Sequence, residues 1–576
     1  GFVKIGHDLH GGGGPASGQI NSGGKIASVA IGTSADGGSL LGGIGPRSGA
    51  IISDNSIGVV AVKLNISGST DPSAADHSGE ILSGNNLGAV TVGGSITGGT
   101  SSYSGFISAA GAIGMVHVVD DITGGAKLDS GAIVSGAKIA GVSVGHSLTG
   151  GAGLNSGFVF SGGNLGPVKI GANVTGGAGG NSGEIGSAGN IGTVNVVKAI
   201  TGAGGESSGS ILSGGTIASV KVGTYLKGST GPNSGQISSG TSMGAITIAG
   251  SLIGGDGPGS GAILSHTLLS EDADIQGNIG AVRIMGGIFG GPGPNSGVIN
   301  SAGTLASVFV GESVTGGAGD VSGAILSGTD YIGSGAMGMV NIGTDLQGGS
   351  VSGSASLHGS GFIQGQRIAG VSVGGSIKAG TLGGNGTLDK SGSIRADDSI
   401  GPIYVGQNLE GNSSNAVVIS ARGQTAQTAT DIAVKSLTVK GSVQFANILA
   451  GYDTDLSAVN PDAQIGPVNI GATWHASNLV AGVQNASSGN VSFGDLNDQE
   501  IAGANNTAII SRIASVVIGG AVSGGGSSVH FGFVTQQVGS LKINGAALLL
   551  NPGAANDFID PLPGTPGISL HEVAVS

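Results

Sequence analysis

The chain has 576 residues, of which 124 are glycine, 9% are charged and none is cysteine, and its formal net charge is −13. The lack of cysteine excludes disulfides and thiolate metal sites, and 20 Lys and Arg in a net acidic chain do not form the basic stripe that nucleic acids or anionic membrane surfaces require. No apolar run is long enough to predict a transmembrane helix.

A glycine-rich motif, Ile-Gly-x-Val-x-Val-Gly, recurs along most of the chain. Seven consecutive units begin 26 residues apart, at Leu87, Ile113, Ile139, Leu165, Ile191, Ile217 and Met243. Further units precede and follow these, and later spacings lengthen, to 48 residues between Ile465 and Ile513. Self-similarity at such a period indicates a solenoid.

The unit from 139 to 164 shows how each repeat is expected to fold. It has three short segments with period-2 alternation, separated by glycine-rich turns, and no helical periodicity. Val142, Val144, Leu148 and Val159 are expected to point inward, and stacking of neighbouring units must bury them. The sequence therefore predicts an all-β fold, a parallel β-helix or β-solenoid of about nineteen coils with three short strands per coil.

Two kinds of residue mark the predicted corners. Gly150-Gly151 and Ser156-Gly157 are expected to supply positive φ angles. Seven serines repeat at the 26-residue period and are expected to satisfy turn backbone groups, not to act as nucleophiles: Ser104, Ser130, Ser156, Ser182, Ser208, Ser234 and Ser260.

With its Gly-Gly and Ser-Gly-x-Ile turns, the motif resembles the parallel β-helix repeats of large bacterial extracellular proteins. These include adhesins, autotransporter-passenger-like proteins and surface-layer or matrix proteins. The resemblance covers residues 1–410 well and 434–545 loosely. It implies a secreted, extracellular or cell-surface location, and no catalytic residue carries over from it.

Acidic inserts are the candidate metal sites. Glu271, Asp272 and Asp274 lie in an expansion after a third strand, where clustered carboxylates suit calcium. A second acidic set in the longest unit has the same composition: Asp495, Asp498 and Glu500. A weaker candidate, for an ion pair or a weak metal site, combines two histidines with two aspartates: His117, Asp120, Asp121 and His146. No other cofactor is expected.

The predicted organisation has three parts, a regular solenoid over 1–410, an irregular solenoid with long loop insertions over 411–545 and a C-terminal tail or cap over 546–576. Larger aromatics in the C-terminal third are the expected contact residues: Tyr404, Tyr452, Trp474 and Phe493. Sequons such as Asn485 are candidate glycosylation sites. The segment Gly567–Ser576 is expected either to cap its own last coil or to pair with another subunit.

The preferred interpretation is a non-enzymatic extracellular structural scaffold, a surface, matrix or filament-forming protein with adhesive capacity, that assembles through its solenoid ends. The alternative is a β-helix polysaccharide-binding module or a polysaccharide lyase or hydrolase. The expected partners are further copies of the chain, end to end, and a polysaccharide or cell-surface glycan. Neither nucleic acid nor a membrane span is expected.

Overall fold

The computed structural model describes residues 1–34, 36–265, 277–328, 335–424, 430–485, 487–490, 492–503, 506, 508–525 and 529–574. The chain divides into two compact units: unit 1 is Gly1–Gly286 with Gly291–Ile299, and unit 2 is Gly287–Gly290 with Asn300–Ser576. The described residues form strands and turns and contain no helix. Each unit is a parallel β-solenoid with three strands per coil, as predicted.

In unit 1 every coil contributes one strand to each of three parallel sheets. The first strands are Phe2–Ile5, Ile26–Ile31, Ile57–Val62, Val90–Val92, Ile113–Val118, Ile139–Val144, Val168–Ile170, Ile191–Val196, Ile217–Val222, Met243–Ile248 and Ile279–Ile284. The second strands are Leu9–His10, Leu40–Leu41, Ile66–Ser67, Ile96–Thr97, Ile122–Thr123, Leu148–Thr149, Val174–Thr175, Ile200–Thr201, Leu226–Lys227 and Leu252–Ile253. The third strands are Gln19–Ser22, Ala50–Ser53, Glu80–Ser83, Phe106–Ala109, Ile133–Ser135, Val159–Ser161, Ile185–Ser187, Ile211–Ser213, Ile237–Ser239 and Ile263–Ser265.

Unit 2 repeats this pattern with longer connections. Its first strands are Leu305–Val310, Ala336–Ile342, Arg367–Val373, Ile400–Val405, Ile432–Val439, Gln464–Ile470, Arg512–Ile518, and the pieces Gln537–Val538 and Leu541–Ile543. The second strands are Ile288–Phe289, Val314–Thr315, Leu346–Gln347, Ile377–Lys378, Leu409–Glu410, Val443–Gln444, Trp474–His475 and Val522–Ser523. The third strands are Ile325–Ser327, Ile363–Gly365, Ile394–Ala396, Val417–Ala421, Ala446–Ala450, Asn478–Ala481, Phe531–Thr535 and Ile568–Glu572, while Ile299–Ser301 crosses the boundary between the units in sequence.

Insertions in unit 2 add short strands outside the coils. Two parallel pairs, Val351–Ser352 with Leu382–Gly383 and Ser356–Ser360 with Thr387–Ser391, join inserts of neighbouring coils. The antiparallel additions are Val483–Gln484 with Gln499–Glu500, Ala546–Ala547 against Leu541–Ile543, and Phe558–Ile559 against Ile568–Glu572. Within the described residues nineteen coils contribute a first strand, in keeping with the predicted number.

Aliphatic ladders fill the interior of the coils. Val142 pairs in register with Val116 in the preceding coil and with Val168 in the following one. Val142, Leu148 and Val159 are at most 1% exposed, so the predicted inward positions are confirmed. Burying these side chains is favourable by about 25 cal/mol per Å² of apolar surface, and only stacked coils remove that surface from water.

The backbone conformation of the corners differs from the prediction at Gly150 and Gly151. Gly157 has φ +60, as expected, but Gly150 and Gly151 do not lie in the left-handed region, and Asn155 does, with φ +53. Glycine is needed at 150 for a different reason, because a Cβ atom there would lie 2.6 Å from the backbone nitrogen of Gly183 in the next coil. The predicted reason was wrong, and close approach of successive coils replaces it.

The serines of the 26-residue column bind backbone groups of the corner turns, as predicted. Ser156 is fully buried, and its Oγ accepts a hydrogen bond from Gly151 N at 2.9 Å and donates one to Gly153 O at 2.7 Å. The other six serines of the column are equally buried. A second buried column ends the third strands and was not foreseen: Ser161 Oγ donates to Ala137 O in the preceding coil at 2.8 Å.

Candidate functional site

The principal calcium prediction falls on Glu271, Asp272 and Asp274, which lie outside the described residues. It stays a prediction. Within the described ranges, no group of three or more His, Asp or Glu side chains is placed to hold a metal ion.

The histidine and aspartate set of unit 1 is only partly brought together. His146 Nδ1 lies 3.7 Å from Asp120 Oδ1, and both side chains are largely exposed. Asp121 Oδ1 is already used, since it accepts a hydrogen bond from Ser147 N at 2.8 Å. His117 projects outward from its strand. A solvated ion pair of this kind contributes little, and the geometry offers no chelating pocket.

The second acidic set forms a buried hydrogen-bond network. Asp498 accepts from Asn485 Nδ2 at 3.0 Å and from Gly494 N at 2.7 Å, and its Oδ2 lies 3.0 Å from His571 Nδ1. Glu500 Oε1 accepts from Gln536 Nε2 at 2.7 Å. These oxygens are occupied by protein donors, so the set fastens the long insertion to the C-terminal strand.

The same network explains the environment of one sequon. Asn485 is fully buried, and its amide nitrogen also donates to Asp495 Oδ1 at 2.9 Å. A glycan requires that this nitrogen be accessible and free of partners. In the folded chain Asn485 is therefore not a glycosylation site.

Three of the four aromatics expected to form a contact surface are in the core instead. Trp474, Tyr452 and Phe493 are fully buried, and only Tyr404, at 41%, is exposed. Trp474 Nε1 donates to Ser477 O at 3.1 Å, and Tyr452 Oη donates to Val483 O at 2.7 Å. The prediction was wrong for these three. Trp474 occupies the inward position of its second strand, in register with Val443. Tyr452 and Phe493 pack in one buried cluster with side chains of the third strands and of the insertions.

Unit 2 carries a surface groove of about 500 Å³, which the sequence did not predict. It lies at the corner between the second and third strands, and its walls include Asp389, Arg395, Asn415, Phe445, Asn447 and Phe531. We call it the unit 2 groove. Its lining comes from five successive coils, whose second strands are paired in register from Ile377–Lys378 to Val522–Ser523.

The groove exists because corner lengths differ between neighbouring coils. In the coil of Val443–Gln444, Phe445 alone separates the second strand from the third, Ala446–Ala450. In the next coil, Trp474–His475 is followed after two residues by Asn478–Ala481. The preceding coils carry the insertion strand Thr387–Ser391 and the turn at 412–415, and these rise on one side of the short corners.

The charged side chains of the groove neutralise one another. Lys390 Nζ lies 2.9 Å from Asp455 Oδ1, and its hydrogen bond and charge lower the pKa of that carboxyl. Arg395 contacts Asp389 Oδ1 at 2.9 Å and donates to Thr454 O at 2.8 Å. Burial lowers the pKa of the Arg395 guanidinium, and the charge of Asp389 opposes that effect. Paired charges leave little net field to select an ionic ligand.

Uncharged groups of the groove keep hydrogen-bonding capacity. Asn447 Oδ1 accepts from Asn478 Nδ2 at 2.9 Å, and Asn415 Nδ2 donates to Gly380 O at 3.2 Å. Among the described residues, Asn447 Nδ2 and Asn415 Oδ1 have no protein partner. The side chains of Phe445 and Phe531 are half-buried beside them. The groove thus combines aromatic surface with one amide donor and one amide acceptor.

A sequence signal for the groove was present. The Gly-Gly and Ser-Gly corner of the regular repeat is absent between Val443 and Ala450, where the chain reads Val-Gln-Phe-Ala-Asn-Ile-Leu-Ala. A coil that lacks this turn, next to coils with long inserts, indicates a depression in the surface of the solenoid. The depth of that depression depends on how the inserts fold, and no periodic pattern encodes that.

Comparison with family models, with curated proteins and with solved structures found no match for this chain. The structure supports the parallel β-solenoid, and the resemblance to bacterial extracellular β-helix proteins stays a prediction from the repeat motif. Among the described residues, no helix is present that has the length and apolarity to cross a membrane.

Proposed function

We propose that the protein is a non-enzymatic extracellular structural scaffold, a surface, matrix or filament-forming component that associates through solenoid ends. The in-register stack of coils is the observation that carries the proposal. Backbone strands pair coil to coil, and buried serines such as Ser156 and Ser161 bond to turn backbone in their own and neighbouring coils. The polar groups of the repeat thus stabilise each coil and its contact with the next coil, which suits a structural protein.

The first coil supports the end-to-end part of the proposal. Its strands Phe2–Ile5, Leu9–His10 and Gln19–Ser22 pair with the second coil on one side, and no described strand pairs with them on the other. Phe2 is 80% exposed on this edge. Coils pair strand on strand in register, and a coil of another copy can pair with these strands in the same way. We propose that such pairing joins copies end to end.

The other end of the chain is covered by its own residues. Ile568–Glu572 pairs in parallel with Phe531–Thr535 and carries the antiparallel Phe558–Ile559 on its outer side. This pairing within the chain supports the capping role of the two roles expected for this tail. Strand donation to another subunit would require this pairing to open.

The extracellular location and the adhesive role rest on the repeat resemblance. A glycine-rich, cysteine-free solenoid is independent of the redox state of its surroundings, which suits an exposed surface layer. The sequence alternative, a polysaccharide-binding module or a polysaccharide lyase or hydrolase, draws support for its binding part from the unit 2 groove.

Sedimentation velocity over a range of concentrations tests the proposal with a matched pair of variants. Phe2→Lys places a charge on the first strand of the described solenoid, and Val59→Lys places the same charge on an exposed position of an interior coil. We expect the wild type and Val59→Lys to form larger species as concentration rises, and Phe2→Lys to stay small. A wild type that remains monomeric at every concentration contradicts end-to-end association.

A further inference from the structure

We propose that the unit 2 groove binds an extended segment of a neutral polysaccharide, with sugar rings stacked on Phe445 and Phe531. The inference goes beyond the scaffold function and does not depend on end-to-end association. It identifies a site, the residues that form it and the chemical class of its ligand.

The dimensions of the groove fit a chain ligand. Its lining spans five coils, and four steps of strand spacing correspond to about 19 Å along the stack. Consecutive pyranose rings of an extended polysaccharide advance by a distance close to one strand spacing. A few rings can therefore lie over successive coils.

The chemistry of the groove fits a neutral, hydroxyl-rich ligand with apolar faces. Sugar rings present C–H groups on one face, which pack on aromatic rings, and hydroxyls at the rim, which both donate and accept hydrogen bonds. Phe445 and Phe531 supply the aromatic surface, and Asn447 Nδ2 and Asn415 Oδ1 supply the unpaired donor and acceptor. Such a mixture of apolar lining and few polar groups is characteristic of ligand sites.

A further unpaired polar group lies in the wall of the groove. Arg395 is 2% exposed, and its Nε is buried without a hydrogen-bond partner, although both terminal nitrogens are engaged. A buried donor without a partner lowers the free energy of unfolding by about 1–3 kcal/mol. Such groups are rare in folded proteins and call for an explanation. The ion pairs of Arg395 with Asp389 and of Lys390 with Asp455 cancel the local charges, which disfavours an anionic polysaccharide.

The backbone at Phe445 permits a well-matched substitution. This residue has φ +47, a conformation that Asn adopts easily, as Asn155 and Asn181 do at corners of unit 1. Tyr103 and Val321 have a similar φ at other corners, so the conformation belongs to the corner and does not itself mark a ligand site. Replacing Phe445 by Asn therefore removes the ring without straining the backbone.

The test is isothermal titration calorimetry of the full chain with cellohexaose, mannohexaose and laminarihexaose, and with hexagalacturonate as the charged comparison. Phe445→Asn removes the ring at a backbone position that suits Asn, and Asn415→Ala removes the free acceptor. Tyr404→Ala, an exposed aromatic of unit 2 outside the groove, is the control.

We expect at least one neutral hexasaccharide to bind and hexagalacturonate not to bind. Phe445→Asn should weaken affinity by about tenfold, and Tyr404→Ala should leave it unchanged. If Phe445→Asn misfolds, Asn415→Ala carries the test, with a smaller loss. Binding of hexagalacturonate alone, no binding of any neutral probe, or an equal loss in Tyr404→Ala overturns the inference. The sedimentation behaviour is a separate readout, so failure of either proposal is recognised on its own.

Discussion

His571 and Asp498 join two segments that are 73 residues apart in the chain, with His571 Nδ1 3.0 Å from Asp498 Oδ2. His571 belongs to the last strand, Ile568–Glu572, and Asp498 to the long insertion of the preceding coils. Asp498 is 7% exposed, so this contact is formed largely out of water. It fastens the C-terminal strand over the end of unit 2.

Replacing His571 by Ala should loosen the C-terminal strand. Asp498 would keep its bonds from Asn485 and Gly494 but lose the imidazole, at a cost of about 1–3 kcal/mol. Hydrogen exchange of the amides in 568–572 should accelerate while exchange in unit 1 does not change. His117→Ala, at an outward position of unit 1, is the control, and equal protection of 568–572 in both variants would argue against the fastening role.

Ser156→Ala should destabilise its corner by about 1–3 kcal/mol, because it leaves Gly151 N without its buried acceptor. Ser143→Ala removes a hydroxyl from the outward side of a neighbouring strand of the same coil and should have little effect. Urea denaturation of the two variants checks the difference. Similar midpoints for both would show that the serine column does not hold the corners.

Gly150→Ala should be more damaging than its small size suggests. The added methyl would lie 2.6 Å from Gly183 N and 2.7 Å from Ser182 Cβ, which forces adjacent coils apart. Gly13→Ala has no atom within 4 Å of the added Cβ and is the matched control. Thermal unfolding should show a clearly lower midpoint for Gly150→Ala, and a midpoint equal to that of Gly13→Ala would refute the close-approach explanation.

Glu184 should make stability depend on pH. Burial raises the pKa of its carboxyl well above the usual range, and its Oε2 has no hydrogen-bond partner. The folded chain keeps this proton while the unfolded chain releases it near its ordinary pKa of about 4.3. The stabilising contribution is therefore complete below that value and is lost as pH rises toward the folded pKa.

Glu184→Gln removes this titration and should flatten the fall of the free energy of unfolding as pH rises above about 4.3. Glu206→Gln, at an exposed position, should leave the slope as it is in the wild type. Urea unfolding series of the three proteins over a range of pH values provide the comparison. An unchanged slope in Glu184→Gln would mean that this carboxyl ionises in the folded state as it does in the unfolded one.

The architecture could be predicted because the repeat encodes it directly. Positions such as Val142 and Leu148 recur with their neighbours in every coil, so period, strand count and inward face follow from the pattern. The reason for Gly150 could not be predicted, since it depends on the distance between backbones of adjacent coils. The burial of Trp474 could have been predicted, because it follows Ile465 by nine residues, as the inward Leu148 follows Ile139.

The unit 2 groove was not predicted because it depends on contrasts between coils. Phe445 lies at a corner without a loop, and its surroundings are set by inserts that begin tens of residues away. Arg395 also gave no signal, because its buried pairing with Asp389 and Thr454 arises only when those inserts fold against one another. Sequence periodicity predicts the features that all coils have in common, whereas the groove depends on corner lengths and inserts that differ between coils.

Negative-stain electron microscopy of the purified wild-type chain tests the scaffold proposal most directly. If copies associate through pairing with the first coil, the images should show long uniform filaments, and Phe2→Lys should abolish them while Val59→Lys does not. Isolated particles of a single copy, at every protein concentration examined, would contradict end-to-end assembly and with it the proposed scaffold function.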